Sequence, residues 1–186
     1  GHQTRLFDVL SSLPPATSDE ISQVAGLQER YVREWLGGMV VGGFVRYEPS
    51  GRTYFLPPEH AAVLTRAAGA DNFASLMQYI PLMGEVEQRV VEAFRKGGGV
   101  PYASYPRFQQ LQGEESRQMY GSNLIGGIIP LDADVEARLE TGIDVLDLGT
   151  GSGFATLILA QAFPKSRFRG LDFSAEGIDF GNREAG

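Results

Sequence analysis

The chain has 186 residues, 42% hydrophobic and 21% charged, with a net charge of −7 and no cysteine. Such a composition describes one or two globular domains with a real core, and it excludes disulfides, thiolate metal sites and cysteine nucleophiles. No apolar run reaches the roughly 18 residues of a membrane span, and the acid excess argues against a nucleic-acid partner held by charge, so a cytoplasmic protein is expected.

In chain order, Leu6, Val9, Leu10 and Leu13 recur at helical spacing until Pro14-Pro15 stops the helix. Thr17 followed by Glu20 is a capping box, opening a short helix with Ile21 and Val24 that Gly26 closes. A longer helix runs through Tyr31, Val32, Trp35, Leu36, Met39 and Val40. Two short apolar runs, 44–47 and 53–56, flank Glu48-Pro49-Ser50-Gly51 and predict a hairpin. Three helices and a hairpin make a winged helix over residues 1–57. Within it five arginines meet six carboxylates, a net of −1, and the third helix alternates Glu29-Arg30 with Arg33-Glu34. A helix that lies in a phosphate-lined groove is more basic than this. The winged helix is therefore read as structural or dimer-forming, with DNA contact as the alternative.

Residues 58–141 read as a helical linker. The spacing predicts two helices over 71–96, broken near Pro81, the second carrying Val86, Val90, Val91 and Phe94. Gly97-Gly98-Gly99 is a joint, and further helices are predicted over 106–124 and 131–141, with Gly126-Gly127 and Pro130 between them. Two apolar faces, this valine-rich one and that of Trp35, Leu36, Met39 and Val40, exceed what one core absorbs. A homodimer built from the amino-terminal and middle helices is the expectation.

Residues 142–186 carry the chemistry. Val145-Leu146-Asp147-Leu148 reads as a strand ending beside an acid, followed by Gly149, Gly151 and Gly153 and then the apolar helix 154–160. Arg167–Leu171 is a second strand ending in Asp172, about 20 residues beyond the glycines, where nucleotide-binding βαβ units place a ribose-binding acid. A dinucleotide fingerprint would require glycine at position 154, which is Phe154 here. A pyrophosphate beside Asp147 would be repelled, whereas a ligand with cationic groups would be attracted.

The order acid-x-Gly-x-Gly-x-Gly resembles the first motif of class I S-adenosylmethionine-dependent methyltransferases. Together with residues 1–8, 29–36, 56–61 and 97–102, it makes nearly the whole chain similar to bacterial small-molecule methyltransferases with an amino-terminal winged helix. Some of those are labelled transcriptional regulators. The resemblance implies a mainly α front part, winged helix and helical linker, followed by the start of an α/β Rossmann-like methyltransferase domain. It implies S-adenosylmethionine as cofactor, bound by Asp147, Gly149, Thr150, Gly151, Gly153, Asp172 and Phe173. Thr150 stands where methyltransferases often have Cys, and its contribution is expected to be backbone. Tyr102, Tyr105, Phe108 and Tyr120 are candidates for a small-molecule substrate pocket, or else ordinary core aromatics.

No catalytic residue is identified. His2 and His60 lie outside any metal-ligand spacing, and no metal site is expected. A complete sheet of this class has more strands than the two readable here, so a front portion of a longer protein is expected, inactive alone. The competing reading is a winged-helix regulator with a methyltransferase-like ligand-binding domain.

Overall fold

A computed structural model describes residues 1–185, which fall into two units divided between Met77 and Gln78. In the first unit α1 (Leu6–Ser12) ends ahead of Pro14-Pro15. Next, α2 (Ser18–Ala25) opens on the expected capping box. Thr17 Oγ1 accepts from the Glu20 N–H at 3.3 Å, and the Glu20 carboxylate accepts from the Thr17 N–H at 2.8 Å. A cap of this kind stabilises a helix by about 1 kcal/mol. The Thr17 N–H, and after it the Thr17 hydroxyl, holds the Glu20 carboxyl below the usual range. Gly26, at φ 65°, closes the helix in the left-handed conformation that glycine adopts without strain.

The third helix, α3 (Glu29–Val41), leads into β1 (Arg46–Glu48) and β2 (Thr53–Phe55), antiparallel with Tyr47 opposite Tyr54. Ala16 exchanges both backbone hydrogen bonds with Tyr54, at 3.1 and 2.7 Å, so the α1–α2 connection lies along the hairpin. The core of the unit joins Leu6 and Leu10 of α1, Ile21 of α2 and Val32 and Leu36 of α3 to Val45 and Leu56. Trp35, Met39 and Val40 pack half-buried against it, with Trp35 edge-on to Phe7 at 5.1 Å. Of the two faces expected to compete for a core, that of Trp35, Leu36, Met39 and Val40 is thus covered within the unit, while Val24 and Tyr31 are exposed.

After the hairpin come α4 (Pro58–Leu64), a 3-10 turn over Arg66–Asp71 and the single-turn α5 (Phe73–Leu76). Asp8 fastens this segment to α1. Its two carboxylate oxygens accept from the Arg66 N–H at 2.7 Å and from Arg66 Nη1 at 2.6 Å, and Nη2 donates to the His2 carbonyl at 2.9 Å.

The second unit begins with α6 (Tyr79–Lys96). The break expected near Pro81 falls earlier, at Met77–Gln78. Pro81 is the third residue of the helix, where a backbone N–H has no intrahelical acceptor to lose. Leu82 and Val86 are buried, whereas Ile80, Met83, Val91 and Phe94 are exposed, Phe94 to 90%. Tyr79 donates to the Glu115 carboxylate at 2.8 Å, and burial followed by that bond pushes its hydroxyl well above the usual tyrosine range.

Beyond Gly97–Gly99, all at positive φ, α7 (Phe108–Asn123) runs into a π turn over Leu124–Ile128 and a 3-10 turn over Ile129–Leu131. Asp132 caps α8 (Ala133–Thr141) through the Asp134 and Val135 N–H groups. The predicted βαβ unit follows as β3 (Asp144–Leu148), α9 (Phe154–Ala162) and β4 (Arg167–Leu171), and α10 (Ala175–Ala185) comes last. β3 and β4 are parallel, with Asp147 opposite Gly170 and Leu148 opposite Leu171. Among the described residues no helix is long and apolar enough to cross a membrane.

Candidate functional site

The register of the two strands determines what the glycine loop can do. Side chains alternate across a strand, so Val145 and Asp147 share one face with Phe168 and Gly170, and this is the half-buried face. Leu146, Leu148 and Leu171 lie on the other, exposed face. Asp147 therefore shares a side with α9, and the first turn of that helix meets it. Thr156 donates to Asp147 Oδ2 at 2.6 Å, and Thr150 donates to the same oxygen at 2.8 Å. The two hydroxyls are themselves 2.8 Å apart.

Thr150 thus contributes its side chain as well as its backbone, which is more than the sequence suggested. Room for that side chain comes from Gly170. A Cβ at position 170 would stand 2.7 Å from Thr150 Cγ2 and 2.8 Å from its hydroxyl. Glycine within a strand is the sequence sign of such a close approach, although it points to no particular neighbour.

The second carboxylate braces the loop from the other strand. Asp172 accepts from the Gly151 N–H at 2.8 Å through Oδ2 and from the Ser174 N–H at 2.8 Å through Oδ1. Ser174 Oγ in turn accepts from the Gly177 N–H at 3.1 Å, at the start of α10. Gly149, Gly151 and Gly153 have φ of 80°, 58° and 73°, which disfavour any side chain. Nothing lies within 4 Å of where a Cβ on Gly149 or Gly151 would stand, so a ligand can approach this backbone closely. Gly153 is the residue before α9, whose first N–H groups lack intrahelical acceptors.

Two further glycines escaped sequence reasoning. A Cβ on Gly177 would lie 2.6 Å from the Gly151 carbonyl oxygen, and one on Gly181 would lie 2.8 Å from that of Ser152. The i, i+4 spacing of Gly177 and Gly181 on α10 is the signal that could have found them.

Phe173, the last sequence candidate, is 76% exposed and packs on Tyr102, with ring centroids 5.3 Å apart. Tyr102 also meets Phe108 at 5.2 Å, and Tyr105 meets Phe108 at 6.1 Å. Three of the four pocket candidates therefore line one hollow of about 630 Å³ with Phe173, Gln109 and Glu176. Tyr120 is not among its lining residues. His60 Nδ1 lies 2.8 Å from the Phe44 carbonyl in the first unit. Among the described residues no group of three or more acids or histidines could hold a metal ion.

Residues 1–66 match the model of an Rv2258c-like winged helix-turn-helix domain, and residues 139–186 match that of a methyltransferase domain. At its two ends the chain is thus similar to a winged helix-turn-helix domain and to a methyltransferase domain. Solved structures of the same fold include an assigned O-methyltransferase from Nostoc punctiforme, 20% identical, with a TM-score of 0.65 over 98% of this chain and 53% of that one. Human N-acetylserotonin methyltransferase in complex with S-adenosylmethionine is 15% identical, with a TM-score of 0.62 over 99% of this chain and 56% of that one. PigF with S-adenosylhomocysteine is 21% identical, with a TM-score of 0.59 over 98% and 55%. The chain spans about half the length of these structures. Comparison with curated proteins finds no match.

The gap at Gly170 yields a direct expectation for the unit formed by β3, α9 and β4. Gly170→Ala drives a methyl group into Thr150 and should lower the free energy of unfolding by about 1–3 kcal/mol, the usual cost of overpacking. Denaturant unfolding of the two proteins measures the difference. Equal midpoints and slopes would mean that Thr150 relaxes freely.

Proposed function

We propose that the protein containing this chain is an S-adenosylmethionine-dependent methyltransferase acting on a small molecule. One observation carries the reading. A glycine loop with open backbone is strapped between two carboxylates at the carboxyl ends of adjacent parallel strands. In open α/β sheets ligands bind at that end of the strands.

The donor set fits the cofactor group by group. Asp147 supplies negative charge toward a ligand carrying an ammonium and a sulfonium. The α9 start and the positive-φ glycines offer N–H groups and close approach to a carboxylate. Asp172, between loop and α10, would accept from ribose hydroxyls, and the Phe173 ring beside it would offer an apolar face. When bound, S-adenosylmethionine supplies an electrophilic methyl group. The chain's residues contribute chiefly by orientation, holding the methyl group in line with the acceptor. The hollow of Tyr102, Tyr105, Phe108 and Phe173 supports a place for an apolar or aromatic acceptor.

The winged helix is read as structural, not as a DNA-binding element. The arginines of α3 face carboxylates one turn away, Arg30 with Glu34 at 2.9 Å and Arg33 with Glu29 at 3.6 Å. That pairing leaves little net positive charge to release counterions from phosphate. A second copy of the chain is the proposed cover for Ile80, Met83, Val91 and Phe94, which recur at helical spacing along α6.

Three measurements test these readings. Asp172→Ala in the full-length protein should weaken S-adenosylhomocysteine binding by about 1–3 kcal/mol, as expected for hydrogen bonds to a charged group. Calorimetry that found unchanged affinity in a folded variant would remove Asp172 from the site. Selection with random duplexes at physiological salt should enrich no sequence, whereas a consensus bound at nanomolar affinity would favour a regulator. Sedimentation equilibrium should give a homodimer, and Phe94→Asp should shift it toward monomer. A wild-type monomer at tens of micromolar would exclude the stable interface proposed for α6.

A further inference from the structure

We propose that Thr156 is a positioning residue for cofactor binding, one that turns the Asp147 carboxylate so that a single oxygen faces the ligand's ammonium group. The inference rests on the S-adenosylmethionine reading and extends it to a residue outside the glycine motif. Two hydroxyls converge on Oδ2 of Asp147, Thr156 at 2.6 Å and Thr150 at 2.8 Å. Oδ1 has no hydrogen bond among the described residues. A hydroxyl has one proton to donate, and each threonine directs its own at this one oxygen.

The two threonines come from different places. Thr150 sits in the loop that a ligand must touch, whereas Thr156 is the third residue of α9 and moves with the helix. Without Thr156, the carboxylate would be held only by the loop residue and could rotate about its χ2, which is a soft torsion. The charge would remain but its direction would not. The penalty should therefore appear only with ligands that carry an amino-acid portion.

The test compares two ligands of the full-length protein by calorimetry. S-adenosylhomocysteine carries the ammonium, and 5′-methylthioadenosine keeps the nucleoside and the thioether but lacks the amino acid. Thr156→Val should weaken S-adenosylhomocysteine about tenfold, the loss of one charge-assisted hydrogen bond. It should leave methylthioadenosine within about twofold, and Thr156→Ser should bind S-adenosylhomocysteine as the wild type does. Equal losses for the two ligands would show a merely structural role, and no loss with either would show that Asp147 needs no second hydroxyl. Both outcomes overturn the proposal. Should Thr156→Val fail to fold, Thr156→Ala is read in the same way. In an Asp147→Asn background the substitution should cost less than about twofold, and an undiminished cost there would also overturn it. Failure of the wild-type protein to bind S-adenosylhomocysteine would instead refute the cofactor reading itself.

Discussion

The missing side chain of Gly170 is the constraint on which the glycine-loop site depends. Parallel pairing places Gly170 directly opposite Asp147, and only a residue without a Cβ leaves room there for Thr150. Thr150 can then fold back onto the carboxylate at 2.8 Å, and the loop from Gly149 to Gly153 takes its shape around that contact. Strand register, loop conformation and carboxylate orientation are one coupled arrangement. A residue on β4 that touches no ligand therefore has a say in how the loop is presented.

α10 imposes the same kind of limit from the other side. Gly177 and Gly181 let its backbone come so near the loop that a methyl group on either would overlap a loop carbonyl oxygen. Close packing without side chains gives up some buried apolar area. In return it leaves the loop few alternative positions, since glycines at positive φ are otherwise the least restrained residues in the chain. The carboxylate of Asp172 completes the restraint by holding the Gly151 N–H at 2.8 Å. A flexible sequence is thereby made into a fixed cradle, and less order remains to be imposed when a ligand binds.

Much of this was legible in the sequence where the signal is local. The Thr17–Glu20 capping box, the Pro14-Pro15 stop, the hairpin turn and the strand–glycine–helix–strand order all depend on neighbours a few residues apart, and each stands where expected. What was missed is tertiary. Trp35, Met39 and Val40 looked like one of two faces competing for a core because periodicity shows which residues share a side and not what covers it; they pack against the core of the first unit, with Phe7 edge-on to Trp35. Pro81 looked like a break because its place within the helix decides its effect, and a proline in the first turn costs no hydrogen bond. Thr150 was expected to act through its backbone, since nothing in the motif indicates Thr156 six positions on or the vacancy at Gly170 twenty positions on.

Asp172 presents an apparent conflict, because the acid proposed to grip a ribose is already in use by the loop and by Ser174. Counting acceptor sites resolves it. An ionised carboxylate has about four lone-pair directions, and the two backbone bonds occupy one on each oxygen. Two directions remain, which matches the pair of hydroxyls on a ribose, so binding need not break the brace. The two backbone N–H groups also fix the carboxylate plane before any ligand arrives, as two hydroxyls do for Asp147. The site thus treats its two acids alike in that each is anchored by two groups of the chain. In Asp147 both anchors fall on one oxygen, and in Asp172 they are divided between the oxygens; under the proposed cofactor reading the first leaves an oxygen for a point charge and the second an edge for two neighbouring hydroxyls.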